Sequence, residues 1–152
     1  MNRPVALILA ILAGASPAAA GEATEAVRRF YEPVEGGEWL PEHRDRFTEP
    51  AVAIFEKNDK LSNNGEELGC LDFALSIDAQ DYDQETVDRT LGFSEVVTGD
   101  QAEVTATFEH FPDQQEEPSA IVWNLRRIDG AWKVADIASP ERGWRLSEFD
   151  CE

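Results

Sequence analysis

The residues best placed to do chemistry lie in one stretch, IVWNLRRIDGAWKVADI (121–137), which ends in the acid Asp136. Asp129-Gly130 supplies a two-residue type I′ turn, since both of its positions tolerate positive φ. Counting outward from that turn pairs Arg127 with Trp132, Leu125 with Val134 and Trp123 with Asp136 on one face. Arg126 with Lys133, Asn124 with Ala135 and Val122 with Ile137 make the other. Like charges directly opposite one another belong in water, so the Arg126–Lys133 face is expected outside. Ile121, Trp123, Leu125, Trp132, Val134 and Asp136 are then expected inside. Burial disfavours the charged form of an acid unless a basic or hydrogen-bonding partner compensates. Without such a partner Asp136 has the chemistry of a proton-transfer group acting on an apolar substrate. With one, it is a structural acid held by a backbone N–H or an arginine, which is the simpler reading.

Other side chains admit further chemistry. Tyr31, Tyr82 and Trp123, together with Asp136, are the candidates for an aromatic-walled ligand pocket; packing in the core is the plainer role for the three rings. A deep pocket containing Asp136 would favour binding or catalysis. An interior plugged by Trp123, Leu125 and Phe108 would point to an interaction or structural role. The acids Asp78, Asp81, Asp83 and Glu85 offer oxygen ligands to a hard cation such as Ca²⁺, but their spacing and the absence of a turn glycine do not match an EF-hand. His43 and His110 show no metal-ligand spacing. No nucleophile–base arrangement and no glycine-rich phosphate loop can be read. We therefore assign no catalytic residue, no metal ligand and no cofactor from the sequence.

Residues 1–20 have the pattern of an export signal: Arg3, an apolar run over Val5–Leu12, and Ala18-Ala19-Ala20 before Gly21. The apolar run is too short to span a bilayer, and no cysteine follows the expected cut, so no membrane anchor is expected. A periplasmic or secreted protein follows, with residues 21–152 forming a single domain, since about 132 residues suffice for one core and not two. The chain carries 31 acidic and 13 basic side chains, a net charge of −18. Such a surface repels nucleic acid and anionic lipid and could attract a cationic partner. In an oxidising compartment the isolated pair Cys70 and Cys151 is expected to form a disulfide tying down the C-terminal tail.

The elements that must position these groups can be read in outline. Residues 22–32 have helical apolar spacing ended by Pro33 and Gly36-Gly37. Pro41 opens a short helix reaching Phe47. A third helix starts near Thr48-Glu49-Pro50, with Thr48 as N-cap and Pro50 in the first turn. LDFALSI (71–77) alternates like a strand, and 78–85 reads as a loop. TLGFSEVVT (90–98), AEVTATFEHF (102–111) and the hairpin complete an antiparallel meander. PDQQEEPS (112–119) is a surface loop and WRLSEF (144–149) a final short turn or helix. Helices first and a meander later give an α+β class, a curved antiparallel sheet with the N-terminal helices on its concave face.

That layout, with CLDFALSIDAQDYD (70–83) and WNLRRIDGAWKVADI (123–137), resembles exported bacterial domains of unknown function with the nuclear-transport-factor-2-like cone, within the cystatin-like α+β roll group. The resemblance covers about residues 22–140 and implies the architecture and the position of a possible pocket. Folds of this kind host unrelated functions, so it does not choose among them. The reading that follows is a non-catalytic exported domain binding a small molecule or protein through the cone or its acidic surface. The alternatives are a small enzyme using Asp136, and an acidic inhibitor or immunity-type protein acting on a basic partner. Val122 and Ile137 on the outer face would allow self-association, while Arg126 and Lys133 there oppose it; a monomer or weak homodimer is expected.

Overall fold

A computed structural model describes residues 21–32, 38, 41–64, 66–113 and 117–152. The expected export signal and the helix stop at Pro33 and Gly36-Gly37 lie outside the described residues. The chain forms α1 (Glu22–Arg28), a 3-10 turn (Pro41–Arg46), α2 (Ala51–Leu61), α3 (Gln84–Thr90), strands β1 (Gly92–Thr98), β2 (Gln101–Phe108), β3 (Ser119–Ile128), β4 (Ala131–Ser139) and β5 (Trp144–Arg145), and a 3-10 turn at Leu146–Glu148. All neighbouring strands are antiparallel, in the order β1-β2-β3-β4-β5, and the sheet is open. The class is α+β, as the order of patterns in the sequence implies.

Alternation makes the sheet two-faced. Ala102, Val104, Ala106 and Phe108 of β2 are buried with Ile121, Trp123 and Leu125 of β3, while Gln101, Glu103 and Thr107 between them are exposed. The buried face meets α1 through Ala23 and Val27 and α2 through Ile54 and Phe55. Phe30 stacks on Trp123 with ring centroids 4.9 Å apart, and Phe47 meets Phe55 edge-on at 4.8 Å. These rings dominate the burial that holds the helices to the sheet.

Three local expectations change. Residues 71–77 do not form a strand. Their apolar members are inside, but their backbone donors are taken by side chains: Leu71 N–H donates to Asn58 Oδ1 at 3.0 Å, and Leu75 and Ser76 N–H donate to the Glu38 carboxylate at 3.2 and 2.9 Å. Donors satisfied this way need no neighbouring strand, and the segment turns back on itself at Ala74–Ala79. Residues 84–90, with 84–85 expected as loop and 90 as strand, form α3, because Asp83 caps it by accepting from Thr86 N–H at 2.8 Å. Helix α2 begins two residues later than expected, with Pro50 and not Thr48 in the capping position.

Cys70 and Cys151 form a disulfide across 81 residues of sequence. It joins the segment after α2 to the end of the chain. Closing a loop of this length is worth about 4–5 kcal/mol in the chain-entropy account. Reduction, or Cys70→Ser with Cys151→Ser, is expected to lower unfolding free energy by several kcal/mol; urea denaturation with and without reductant measures it.

Candidate functional site

The turn of the β3–β4 hairpin is as the sequence implies: Asp129 and Gly130 have φ of 50° and 82°. Arg127 faces Trp132, Arg126 faces Lys133 and Leu125 faces Val134. Arg127 also lies over the Trp132 ring, 4.6 Å from its centroid. Beyond Val134 the expected register fails. Asn124 pairs with Asp136, Trp123 with Ile137 and Val122 with Ala138, so Ala135 is an extra residue, a β-bulge. A one-residue slip moves every later side chain to the opposite face. Ile137 therefore packs inside beside Trp123, and Asp136 turns to the outer face beside Asn124. The expected inward Asp136 opposite Trp123 is thus corrected.

The outer-face acid is nevertheless buried, at 8% exposure, because the C-terminal segment covers it. Asp136 Oδ2 accepts from Arg145 Nη1 at 3.0 Å and from Ser147 Oγ at 2.6 Å. Oδ1 accepts from the backbone N–H of Ser147 and of Ile137, each at 3.0 Å. Four donors occupy the lone pairs a carboxylate offers. A group held in this way fastens β5 and the last 3-10 turn to β4. The compensating arginine and backbone donors foreseen for the structural reading are both present. Beside it, Gln101, Asn124, Arg126, Asp136, Arg145 and Pro50 line an open depression of about 250 Å³.

Tyr31 and Trp123 do come together, on the other side of the sheet. Trp123 Nε1 donates to Tyr31 Oη at 3.2 Å, and both residues are buried. Burial pushes the Tyr31 phenol far above its ordinary value, with the Trp123 hydrogen bond opposing and the Glu38 charge reinforcing the shift. Tyr82 is half-buried against the same core. The sheet separates Asp136 from Tyr31 and Trp123. Trp123, Leu125 and Phe108 are all buried in the core, so this part of the interior is filled by side chains.

The acidic string is divided among different tasks. Asp78 accepts from Trp144 Nε1 at 2.8 Å and pairs with Arg142 at 3.3 Å, whereas Asp83 caps α3. Among the described residues no three potential ligands gather for a metal ion. Hydrogen bonds from the Thr86 hydroxyl and then its backbone N–H hold the Asp83 carboxyl below its usual range, with Arg89 adding to the effect against desolvation. His110 is also engaged, its Nε2 lying 2.6 Å from Ile77 O.

What the sequence did not disclose is how most of the arginines are used. Arg145 holds Asp136, Arg142 holds Asp78, and Arg44 pairs with Asp59 at 3.1 Å while covering Phe55. Arg28 pairs with Glu25 and covers Phe93; Arg127 pairs with Glu22 as well as covering Trp132; Arg46 lies over Phe30. Six of the chain's arginines thus serve its own acids and rings. With 31 acids present, an unneutralised carboxylate surface remains.

Fold and site together define an α+β protein with a five-stranded antiparallel sheet, a filled core near Trp123 and a strongly acidic exterior. Neither a protein-family profile nor a curated protein sequence matches the chain. Among solved structures, it is similar to a chain of the type VI native effector–immunity complex Tae3-Tai3 from Ralstonia pickettii. The likeness has a TM-score of 0.50 and 18% identity, and covers 82% of this chain and 94% of that one. At that identity the likeness is one of fold.

Two outcomes follow. Asp136→Asn keeps the shape but removes the charge facing Arg145 and is expected to cost about 1–3 kcal/mol. Faster hydrogen exchange at Ser147 N–H than at the β2–β3 amides would show where the loss falls. The depressed Asp83 pKa stabilises the fold at neutral pH, and that contribution is lost as pH falls through the folded value. Asp83→Ala is therefore expected to flatten the acid limb of a Tm-versus-pH curve.

Proposed function

We propose that this chain is an exported, non-catalytic protein-binding domain of the immunity type, which neutralises a basic protein partner by covering it with an acidic surface. The observation that carries the reading is the excess of 31 acidic over 13 basic side chains, several of the latter already paired within the molecule. Complementary charge of this kind steers association and selects partners. The fold likeness to a chain of an effector–immunity complex supports it. So do the filled core around Trp123 and the four-donor clamp on Asp136, both of which favour an interaction role over chemistry. In this reading residues 1–20 are the export signal and 21–152 one domain, with the sheet and helices forming a nuclear-transport-factor-2-like cone. The disulfide suits a periplasmic or secreted site. Among the described residues no helix is long and apolar enough to cross a membrane.

The test is binding to a panel of purified type VI effectors, measured by calorimetry at 0.05 and 0.3 M NaCl. One basic effector is expected to bind and lose its activity, with affinity falling at least tenfold across that salt range. No binding across the panel, or affinity indifferent to salt, overturns the proposal.

A further inference from the structure

The two edges of the sheet are treated differently. At the β4 side, β5 is only two residues long and carries Arg145, the last 3-10 turn follows at once, and Thr48 N–H caps Val134 O at 2.8 Å beside the Phe47–Val134 bridge. Short strands, charges and covering segments are the ordinary means of blunting an edge. The β1 edge is longer, and its one acid, Glu95, lies on the face that α1 covers. Strand β1 (GFSEVVT) is seven residues long and contains no lysine and no proline. Among the described residues no backbone group pairs with its free side. Its one charged residue, Glu95, is tied to Thr24 through the backbone N–H at 2.6 Å and the hydroxyl at 2.8 Å. Val96 and Val97 are 64% and 48% exposed. On a chain of net charge −18, the exposed residues of the edge, Ser94, Val96, Val97 and Thr98, carry no charge.

We propose that β1 pairs antiparallel with β1 of a second copy, joining two sheets into one of ten strands about a two-fold axis at Val96. The sequence of the strand is self-complementary in that register. Val96 meets Val96 of the second copy, Ser94 meets Thr98, and Glu95 meets Val97. β-branched pairs and Ser–Thr pairs are favourable cross-strand neighbours. An axis one residue earlier would oppose two Glu95 carboxylates. The pairing also keeps the two sheets' faces aligned, because residues of like parity share a face. A basic partner finds little to gain at an edge whose only charge is already engaged, so a copy of the same strip is the better occupant. The five residues of each copy that pair in this register, 94–98, span about 17 Å. They cover less than the roughly 800 Å² per partner of a standard interface. Net repulsion opposes it further, so a weak dimer is expected, with dissociation on the order of 100 µM.

Sedimentation velocity of the purified, disulfide-bonded protein from 10 to 500 µM tests this. A concentration-dependent dimer is expected, strengthened by raising NaCl from 0.05 to 0.5 M because salt screens the two acidic bodies. Val96→Lys places two ammonium groups on the axis and is expected to abolish the dimer without moving Tm; Val96→Thr, still β-branched, is expected to retain it. A monomer at every concentration and salt overturns the proposal. So does a dimer that survives Val96→Lys or that salt weakens.

Discussion

One surplus residue in β4 decides how this molecule is put together. At Ala135 the strand carries two steps where β3 carries one, and the alternation beyond it reverses. Ile137 then joins Trp123, Phe30 and Tyr31 in the core, and Asp136 faces outward. Had the ladder run on without a bulge, a carboxylate would sit opposite the buried Trp123 indole. The bulge trades that costly burial for an apolar contact. It also gives the acid a use, since Arg145 and both the hydroxyl and the amide of Ser147 converge on it.

From that clamp the constraint runs to the end of the chain. Asp136 holds β5 and the following turn, and Cys151, a few residues on, is joined to Cys70. Cys70 opens the irregular segment whose backbone donors are satisfied by Asn58 and Glu38, not by a strand. A short C-terminal tail and a strandless loop thus brace one another through one carboxylate and one covalent bond.

Charge acts on a different scale. Individual arginines settle local problems, covering Phe55 or Trp132 and pairing with Asp59 or Glu22. Because they are so few against 31 acids, settling those problems leaves the exterior negative. A surface of that kind governs which macromolecules approach and says little about small ligands.

The Asp-Gly turn, the first three pairs of the hairpin, the Arg127–Trp132 contact, the disulfide and the α+β order are legible in the residues because each rests on local stereochemistry or short-range pairing. The capping role of Asp83 was also written locally, in its position three residues before Thr86 and ahead of Glu85, although the surrounding acids read as loop. The bulge at Ala135 was not legible. Alternation in 131–137 is compatible with either register, and the choice depends on which of Asp136 and Ile137 finds better neighbours across the sheet. Those neighbours, Trp123, Arg145 and Ser147, lie outside β4, so the pattern of the strand itself does not contain them. The strand-like pattern of 71–77 misleads for the same reason: alternation marks which side chains are buried, but only the folded molecule sets whether Asn58 and Glu38 or another strand receive the backbone donors.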